Sequence, residues 1–303
     1  MEREAGVRDP AELERSGAPA AGRISPLTTL GPVHLTVADI ERSLAYYTGE
    51  IGLERLAMSD GRLSLGVGGR ELLVLVEEPG ATQSFGHTGL YHFALLVPTR
   101  RELARWLAHV ARQRIALVGL SDHFVSEAVY LSDPDGHGIE VYWDRPRDVW
   151  EGQVAQRMTT VPLDVDSLLA ELDNPSSEPF DGLSPQTVMG HVHLKSAEIP
   201  NTVAFYRDLL GLNLMAELAL SAAFLSAGGY HHHIAANTWE SAGADPPPEG
   251  SAALRHLTIV LPDGDEFDRI VGRLRRVGVE TTATASGTIV RDPSATAILL
   301  TTA

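Results

Sequence analysis

The chain has 303 residues, a formal net charge of −16 and no cysteine. This length predicts two domains, and the negative charge argues against nucleic acids and anionic membrane surfaces as partners. Without cysteine the chain cannot form disulfides, zinc–thiolate sites or iron–sulfur clusters. Any metal must therefore be bound by His, Asp or Glu.

Residues 1–28 are predicted to be a flexible tail. They are rich in Ala, Glu, Arg and Gly and lack the apolar segment of a secretory signal. No apolar run elsewhere approaches the ~18 residues that a membrane span requires. We therefore expect a cytoplasmic protein with no membrane partner.

The first predicted unit begins with a strand at 31–37, where apolar and polar residues alternate. A helix is predicted over 40–51, because Ile40, Leu44 and Ile51 share one of its faces. Three short strands, rich in branched and apolar residues and separated by glycines, follow at 54–58, 62–67 and 71–77. This order of elements is a βαβββ unit.

The same order of elements then starts again. A strand at 91–97 precedes a helix at 100–112, and further strands are predicted near 115–119, 124–131 and 138–143. The first half of the chain therefore contains two βαβββ units.

The second half of the chain repeats the first. Gly31-Pro-Val-His-Leu matches Gly190-His-Val-His-Leu, and Asp133-Pro134 matches Asp292-Pro293, both at an offset of 159 residues. A period of about one domain indicates a duplicated module. We predict an α+β fold of four βαβββ units, arranged as an N-terminal module (29–145), a connector (146–187) and a C-terminal module (188–303).

Two residues of unit two are candidate metal ligands. His92 and Glu140 lie 48 residues apart on its first and last predicted strands. A carboxylate inside an apolar strand is costly unless it is paired or coordinated. His34 lies on the corresponding first strand of unit one. Two histidines and one carboxylate form the ligand set of non-haem Fe(II) sites that keep positions open for substrate and oxygen.

Four motifs in this chain resemble the vicinal oxygen chelate superfamily, which includes glyoxalase I, bleomycin and fosfomycin resistance proteins and type I extradiol dioxygenases. The resemblance spans about 29–303 and is closest to two-module bacterial catechol 2,3-dioxygenases. Its motifs are Gly-Leu-Tyr-His-Phe (89–93), Asp-His-x-Val-Ser-Glu-Ala-x-Tyr-Leu-Ser-Asp-Pro-Asp-Gly (122–136), Gly-His-Val-His-Leu (190–194) and Gly-Gly-Tyr-His-His-His-Ile (228–234).

The resemblance implies that two paired units close around a metal, with His92 and Glu140 supplied by unit two. The third ligand depends on the partner unit. It is His193 if unit three pairs with unit two, and His34 if unit one does. We favour His193, because His191 and His193 share one face of a strand and create a polar lining that unit one lacks. Adjacent units of one module pair most readily, however, which favours His34.

The resemblance also implies further catalytic residues. Tyr130, ten residues before the carboxylate, matches a tyrosine that hydrogen-bonds the catechol oxygen, and His123 matches a histidine that supports the site. The acid–base histidine would come from His231, His232 or His233. We select His233, which alternation would place on one strand face with His231.

These residues predict an extradiol dioxygenase that cleaves a catechol-type aromatic with Fe(II) and O2, in the catabolism of aromatic compounds. Mn(II) is the alternative metal. Two other hypotheses are a glyoxalase-like metal-dependent lyase or isomerase and a metal-free antibiotic-binding resistance protein. Pairing of units between modules would also be compatible with a homodimer.

Overall fold

The computed structural model describes residues 22–303, so most of the predicted tail lies outside the described residues. The first half holds ten strands and two α-helices: β1 (Thr29–Leu30), β2 (Val33–Val37), α1 (Ile40–Tyr46), β3 (Glu54–Ser59), β4 (Arg62–Val67), β5 (Arg70–Glu77), β6 (Thr82–Gln83), β7 (Gly89–Leu96), α2 (Arg100–Gln113), β8 (Gly119–Asp122), β9 (Ser126–Ser132) and β10 (Gly138–Asp144). A π-helix, Tyr47–Ile51, extends α1.

The second half follows the same order after a connector with three short helices. Its elements are α3 (Arg147–Trp150), α4 (Val154–Arg157), β11 (Val161–Pro162), α5 (Val165–Leu169), β12 (Val188–Lys195), α6 (Ile199–Val203), β13 (Asn213–Leu218), β14 (Ala222–Ser226), β15 (Ile234–Asn237), β16 (Ser251–Ala252), β17 (Leu254–Leu261), α7 (Gly264–Arg276), β18 (Thr282–Thr284), β19 (Gly287–Arg291) and β20 (Ala297–Thr302). A π-helix, Ala204–Leu210, extends α6. The predicted α+β fold of four βαβββ units is confirmed.

The main strands form two nine-stranded mixed sheets, and each sheet joins a unit from each half of the chain. The first, formed by units one and four, has the order β18-β19-β20-β17-β2-β5-β4-β3, with β1 also paired to β17. The second, formed by units two and three, has the order β11-β8-β9-β10-β7-β12-β15-β14-β13. Strands β6 and β16 form a small separate pair.

The centre of the second sheet is the antiparallel pair β7–β12, in which His92 lies opposite His193. Strand β10 runs parallel to β7 on its other side. Unit two therefore pairs with unit three, the arrangement favoured above, and His34 lies in the other sheet.

The duplicated Asp-Pro turns are held in the same way in both halves. The hydroxyl of Tyr47 donates to Asp133 over 2.9 Å, and that of Tyr206 donates to Asp292 over 3.1 Å. All four side chains are buried. Because each tyrosine lies in a π-helix at the same offset from its partner, the repeat in sequence corresponds to a repeat in packing.

The apolar core lies between the sheets and the helices that cover them. Trp106 of α2 is fully buried, and its indole N–H donates to the carbonyl of Ile51 over 3.1 Å. This bond ties unit two to unit one. Within residues 22–303 no helix is both long and apolar enough to cross a membrane.

Candidate metal centre

Three side chains converge on the seam between β7, β10 and β12. The Oε2 atom of Glu140 lies 3.0 Å from Nε2 of His92 and 3.1 Å from Nε2 of His191, and the two nitrogens are 3.4 Å apart. All three residues are buried, and no other group of three potential metal ligands occurs in the described part of the chain. Metal bonds of about 2.1 Å at right angles separate neighbouring donor atoms by about 3 Å. The three residues therefore fit a metal ion.

The sheet determines which atoms meet. Glu140 lies in the middle of β10, paired with Ala94 of β7 on one side and Tyr130 of β9 on the other. The pairing of β12 with β7 shifts between Met189 and His191. Such an irregularity re-aims a side chain, and here the His191 imidazole points at the Glu140 carboxylate.

The protonation states of these groups suit metal binding. Burial by itself would raise the pKa of Glu140, but attraction to His191 and hydrogen bonds from His191 and His92 hold it well below its usual range. Burial lowers the pKa of His191. A carboxylate facing a neutral imidazole has the protonation that metal ligands require.

His193, our predicted third ligand, lies beside this group and takes no part in it. Its Nε2 lies 3.0 Å from the side-chain amide of Asn237, and its ring lies 4.9 Å from that of His92. His191 is the residue of β12 that reaches Glu140. Alternation along a strand puts both histidines on one face, but the shifted register decides which of them meets the carboxylate.

His34, the alternative third ligand, stacks on His256 across β2 and β17, with ring centroids 3.9 Å apart. Leu299 stands in unit four at the repeat position of Glu140. No third metal-ligand side chain joins this pair among residues 22–303. The first sheet therefore lacks the carboxylate that completes the group in the second.

The His34–His256 pair predicts a loss of stability in acid. Burial lowers the pKa of His34 to about 3 and that of His256 to about 4, and Arg62 and Arg255 lower both further. In the unfolded chain both would titrate near 6.5. The unfolded state therefore binds more protons below pH 6.5, so this stability is present above pH 6.5 and falls as the pH drops. We expect a loss on the order of 2 kcal/mol per histidine between pH 7 and pH 5.

Urea unfolding at pH 7 and pH 5 measures this loss. The double variant His34→Leu/His256→Leu should lose clearly less stability than the wild type over this interval. His87→Leu, at a half-exposed histidine outside the pair, should behave like the wild type. An equal loss in the double variant would contradict the prediction.

Tyr130 and His123, both predicted catalytic residues, adjoin the metal ligands. The Nδ1 atom of His123 lies 2.8 Å from the carbonyl of Thr159, which can only accept, so the proton resides on Nδ1. The other nitrogen lies 2.7 Å from the Tyr130 hydroxyl and accepts from it. Burial, with the nearby charge of Glu140, raises the pKa of Tyr130 well above its usual value, so its hydroxyl stays protonated.

His233, the predicted acid–base residue, faces away from the ligands. Its Nδ1 accepts the backbone N–H of Ala227 over 3.2 Å. Strand β15 begins only at Ile234, so the prediction that His231 and His233 alternate along a strand is wrong. His232 is the member of the run nearest the ligands, with its ring 4.2 Å from that of His191.

A chain of hydrogen bonds behind His232 was missed by the sequence reasoning. Nδ1 of His232 lies 2.8 Å from Nδ1 of His231, whose Nε2 lies 2.7 Å from Asp144. Because a carboxylate only accepts, His231 donates to Asp144 and accepts from His232, which leaves the lone pair of His232 on Nε2. Asp144 lies four residues after Glu140 on β10, so strand alternation was the available signal.

Aromatic side chains surround His193 on the outer side of the ligands. Tyr91, Trp239 and Phe224 lie 5.1, 5.7 and 6.0 Å from its ring, measured between centroids. Trp239 is 53% exposed. These rings offer flat apolar surfaces to a planar ligand.

Paired βαβββ units with two histidines and a carboxylate at their seam define a two-module protein on the glyoxalase and dioxygenase scaffold. The sequence model of the Glyoxalase/Bleomycin resistance protein/Dioxygenase superfamily matches residues 29–141 and 188–295. The chain belongs to this superfamily.

Individual relatives include both chemistries of the superfamily. The chain is 41% identical over 274 residues to a Bacillus subtilis protein named Catechol-2,3-dioxygenase, covering 88% of this chain and 94% of that one. A candidate dioxygenase structure from Bacillus subtilis superposes with a TM-score of 0.64 at 15% identity, covering 92% of this chain and 86% of that one. Glyoxalase I from Zea mays gives 0.56 at 14% identity, covering 90% and 92%. The two structures show the fold.

Proposed function

We propose that the protein is an extradiol ring-cleaving dioxygenase that acts on a catechol-type aromatic with Fe(II) and O2. The observation that carries the proposal is the buried group of His92, His191 and Glu140, the two-histidine, one-carboxylate set of non-haem iron oxygenases. The 41% identity to a protein named Catechol-2,3-dioxygenase supports the same reaction. Fe(II) is the proposed metal, with Mn(II) as the alternative.

His92, Glu140 and His191 would hold the metal. A bound Fe(II) would supply Lewis acidity and open positions for the two vicinal oxygens of the substrate and for O2. A glyoxalase-like isomerase commonly adds a second carboxylate ligand. The three-residue group of this chain contains one, which favours the dioxygenase.

His232 is the proposed acid–base residue. Its Nδ1 proton is engaged by His231, so its Nε2 lone pair is available to take a proton from a catechol hydroxyl. Asp144 would stabilise the resulting positive charge through its bond with His231. Burial lowers the pKa of His232 well below its usual value, so the ring is neutral and ready to act as a base.

Tyr130 and the outer aromatic rings would orient the substrate. The Tyr130 hydroxyl, held by His123, lies beside the ligands and can bond one catechol oxygen. Tyr91, Phe224 and Trp239 would contact the faces and edges of the aromatic ring. Since these contacts are apolar, they favour a ring without charged substituents.

The test is a turnover measurement after anaerobic loading with Fe(II). Catechol and its alkyl derivatives should give O2 uptake equal to the amount of substrate consumed, together with the yellow absorbance of the ring-opened product. A Mn(II)-loaded sample run in parallel would identify the working metal. Tight metal binding without O2 uptake on any catechol would contradict the proposal and favour the glyoxalase-like alternative.

Replacing Asp144 with asparagine should lower kcat about 10–100-fold while leaving the metal content unchanged, since removing a residue that orients a functional histidine has effects of this size. KM for catechol should change little, because Asp144 contacts His231 and Tyr230 rather than the outer aromatic rings. Asp148→Asn, at an exposed position four residues along, is the matched control. An unchanged kcat in D144N would contradict a role for this hydrogen-bonded chain.

A further inference from the structure

A cavity of about 210 Å³ lies between the two halves of the molecule, apart from the metal ligands. Its walls include Gln83, Thr88 and His137 from the first half and Lys195, Arg291 and Thr296 from the second. His137 and Thr296 are related by the repeat offset of 159 residues. The cavity is therefore lined by the same turn from each module, close to their internal symmetry axis.

The charge of this lining is unlike that of the rest of the chain. The protein carries a net charge of −16, yet the lining includes two cations, Lys195 and Arg291, and no carboxylate. Lys195 is the sole lysine of the sequence. The repeat positions of the two cations are Thr36 and Ser132, so duplication does not account for the charge.

Neither cation is neutralised by the protein. Within residues 22–303 no carboxylate pairs with Lys195, and the guanidinium of Arg291 bonds the carbonyl of Ala295 over 2.8 Å. The nearest acidic neighbour in sequence, Asp292, is buried and accepts from the backbone of Ser294 and from Tyr206. Two unpaired positive charges thus face one enclosed space.

We propose that this cavity binds the carboxylate or phosphate group of a small anion. A guanidinium bonds such oxoanions through paired N–H groups, and an ammonium adds a mobile point charge. A cleft lined by one sign of charge also concentrates counter-ions. Hydroxyls of Thr88 and Thr296 on the walls provide neutral partners for further oxygens.

The site is distinct from the metal centre but shares a strand with it. Lys195 lies four residues beyond His191 on β12, a separation of about 13 Å along a strand. The occupied cavity would bridge the first half, through Thr88 and His137, to the end of the strand that carries His191. Anion binding should therefore stabilise the contact between modules whether or not metal is bound.

Isothermal titration of the full chain with inorganic phosphate, malonate and chloride at constant ionic strength tests the proposal. We expect saturable binding of phosphate or malonate, with the tighter of the two naming the group, and no binding of chloride. Lys195→Gln and Arg291→Gln should each weaken binding about tenfold or more, since each removes a charge-assisted bond. Arg55→Gln, at an exposed arginine in β3 outside the cavity, should bind like the wild type.

Three outcomes would overturn the proposal: no saturable binding of either oxoanion by the wild type, equal binding by K195Q and R291Q, or loss of binding after chelation of the metal. The third would assign the anion to the metal centre. The thermal unfolding midpoint, measured with and without the anion, reports whether each variant is folded. Because Arg291 is exposed, R291Q is the variant best placed to remain folded if K195Q does not.

Discussion

Replacing Glu140 with glutamine should abolish metal binding and turnover together. The carboxylate is the one anionic group among three potential ligands and is buried between two imidazoles. Glutamine keeps the shape but loses the charge, so a divalent cation would be held by two neutral nitrogens alone. We expect metal content after loading to fall at least tenfold, and kcat to fall by about a thousandfold or more, since both Lewis acidity and substrate positioning depend on the ion.

Metal content by elemental analysis and O2 uptake with catechol provide two independent readouts. Glu41→Gln, at an exposed position in the first turn of α1, is the control for a lost carboxylate. It should keep both properties. The structure of the ligand group would be contradicted if E140Q bound metal as the wild type does. If E140Q lost turnover on one substrate but kept metal, the fault would lie with the proposed chemistry.

Alanine in place of His191 should have a much larger effect than alanine in place of His193 or His34. His191 presents its Nε2 to Glu140 at 3.1 Å, whereas the same atom of His193 bonds Asn237. We expect His191→Ala to lose metal at least tenfold and to lose turnover. His193→Ala should retain metal and lose part of kcat/KM, because its ring adjoins the aromatic side chains that would contact the substrate.

His34→Ala should retain both metal and turnover, because His34 stacks on His256 in the other sheet. The three variants compared under one loading protocol identify the third ligand. Loss of metal in H193A with retention in H191A would restore the assignment made from the sequence. Loss in H34A alone would contradict the pairing of units two and three at the metal centre.

Much of the fold followed from local patterns. The strand and helix order of unit one was predicted within a few residues, because alternation, helical periodicity and glycine stops are properties of neighbouring residues. The duplication was readable from identical short motifs at one offset. The strand predicted at 115–119 begins at Gly119 instead, since the residues before it form the turn that leaves α2.

The site was harder to predict where it depended on contacts between distant strands. The run of three histidines was expected to continue a strand, yet β15 starts after it, and a single residue decides whether a ring meets the ligands or the backbone of Ala227. Asp144 drew no attention because a carboxylate at the end of a strand is usually solvated. Its partner, His231, is 87 residues away in the sequence.

The sequence by itself determined the four-unit repeat, the absence of thiolate chemistry and the pair His92 and Glu140, because these rest on composition, spacing and alternation along single strands. The tertiary structure decided the third member of the group, the histidine nearest to it and the charge facing the central cavity. Alternation limits a side chain to one face of a sheet. Which residue on that face meets a given atom depends on the register across β7 and β12, and that register is set by the packing of the whole molecule.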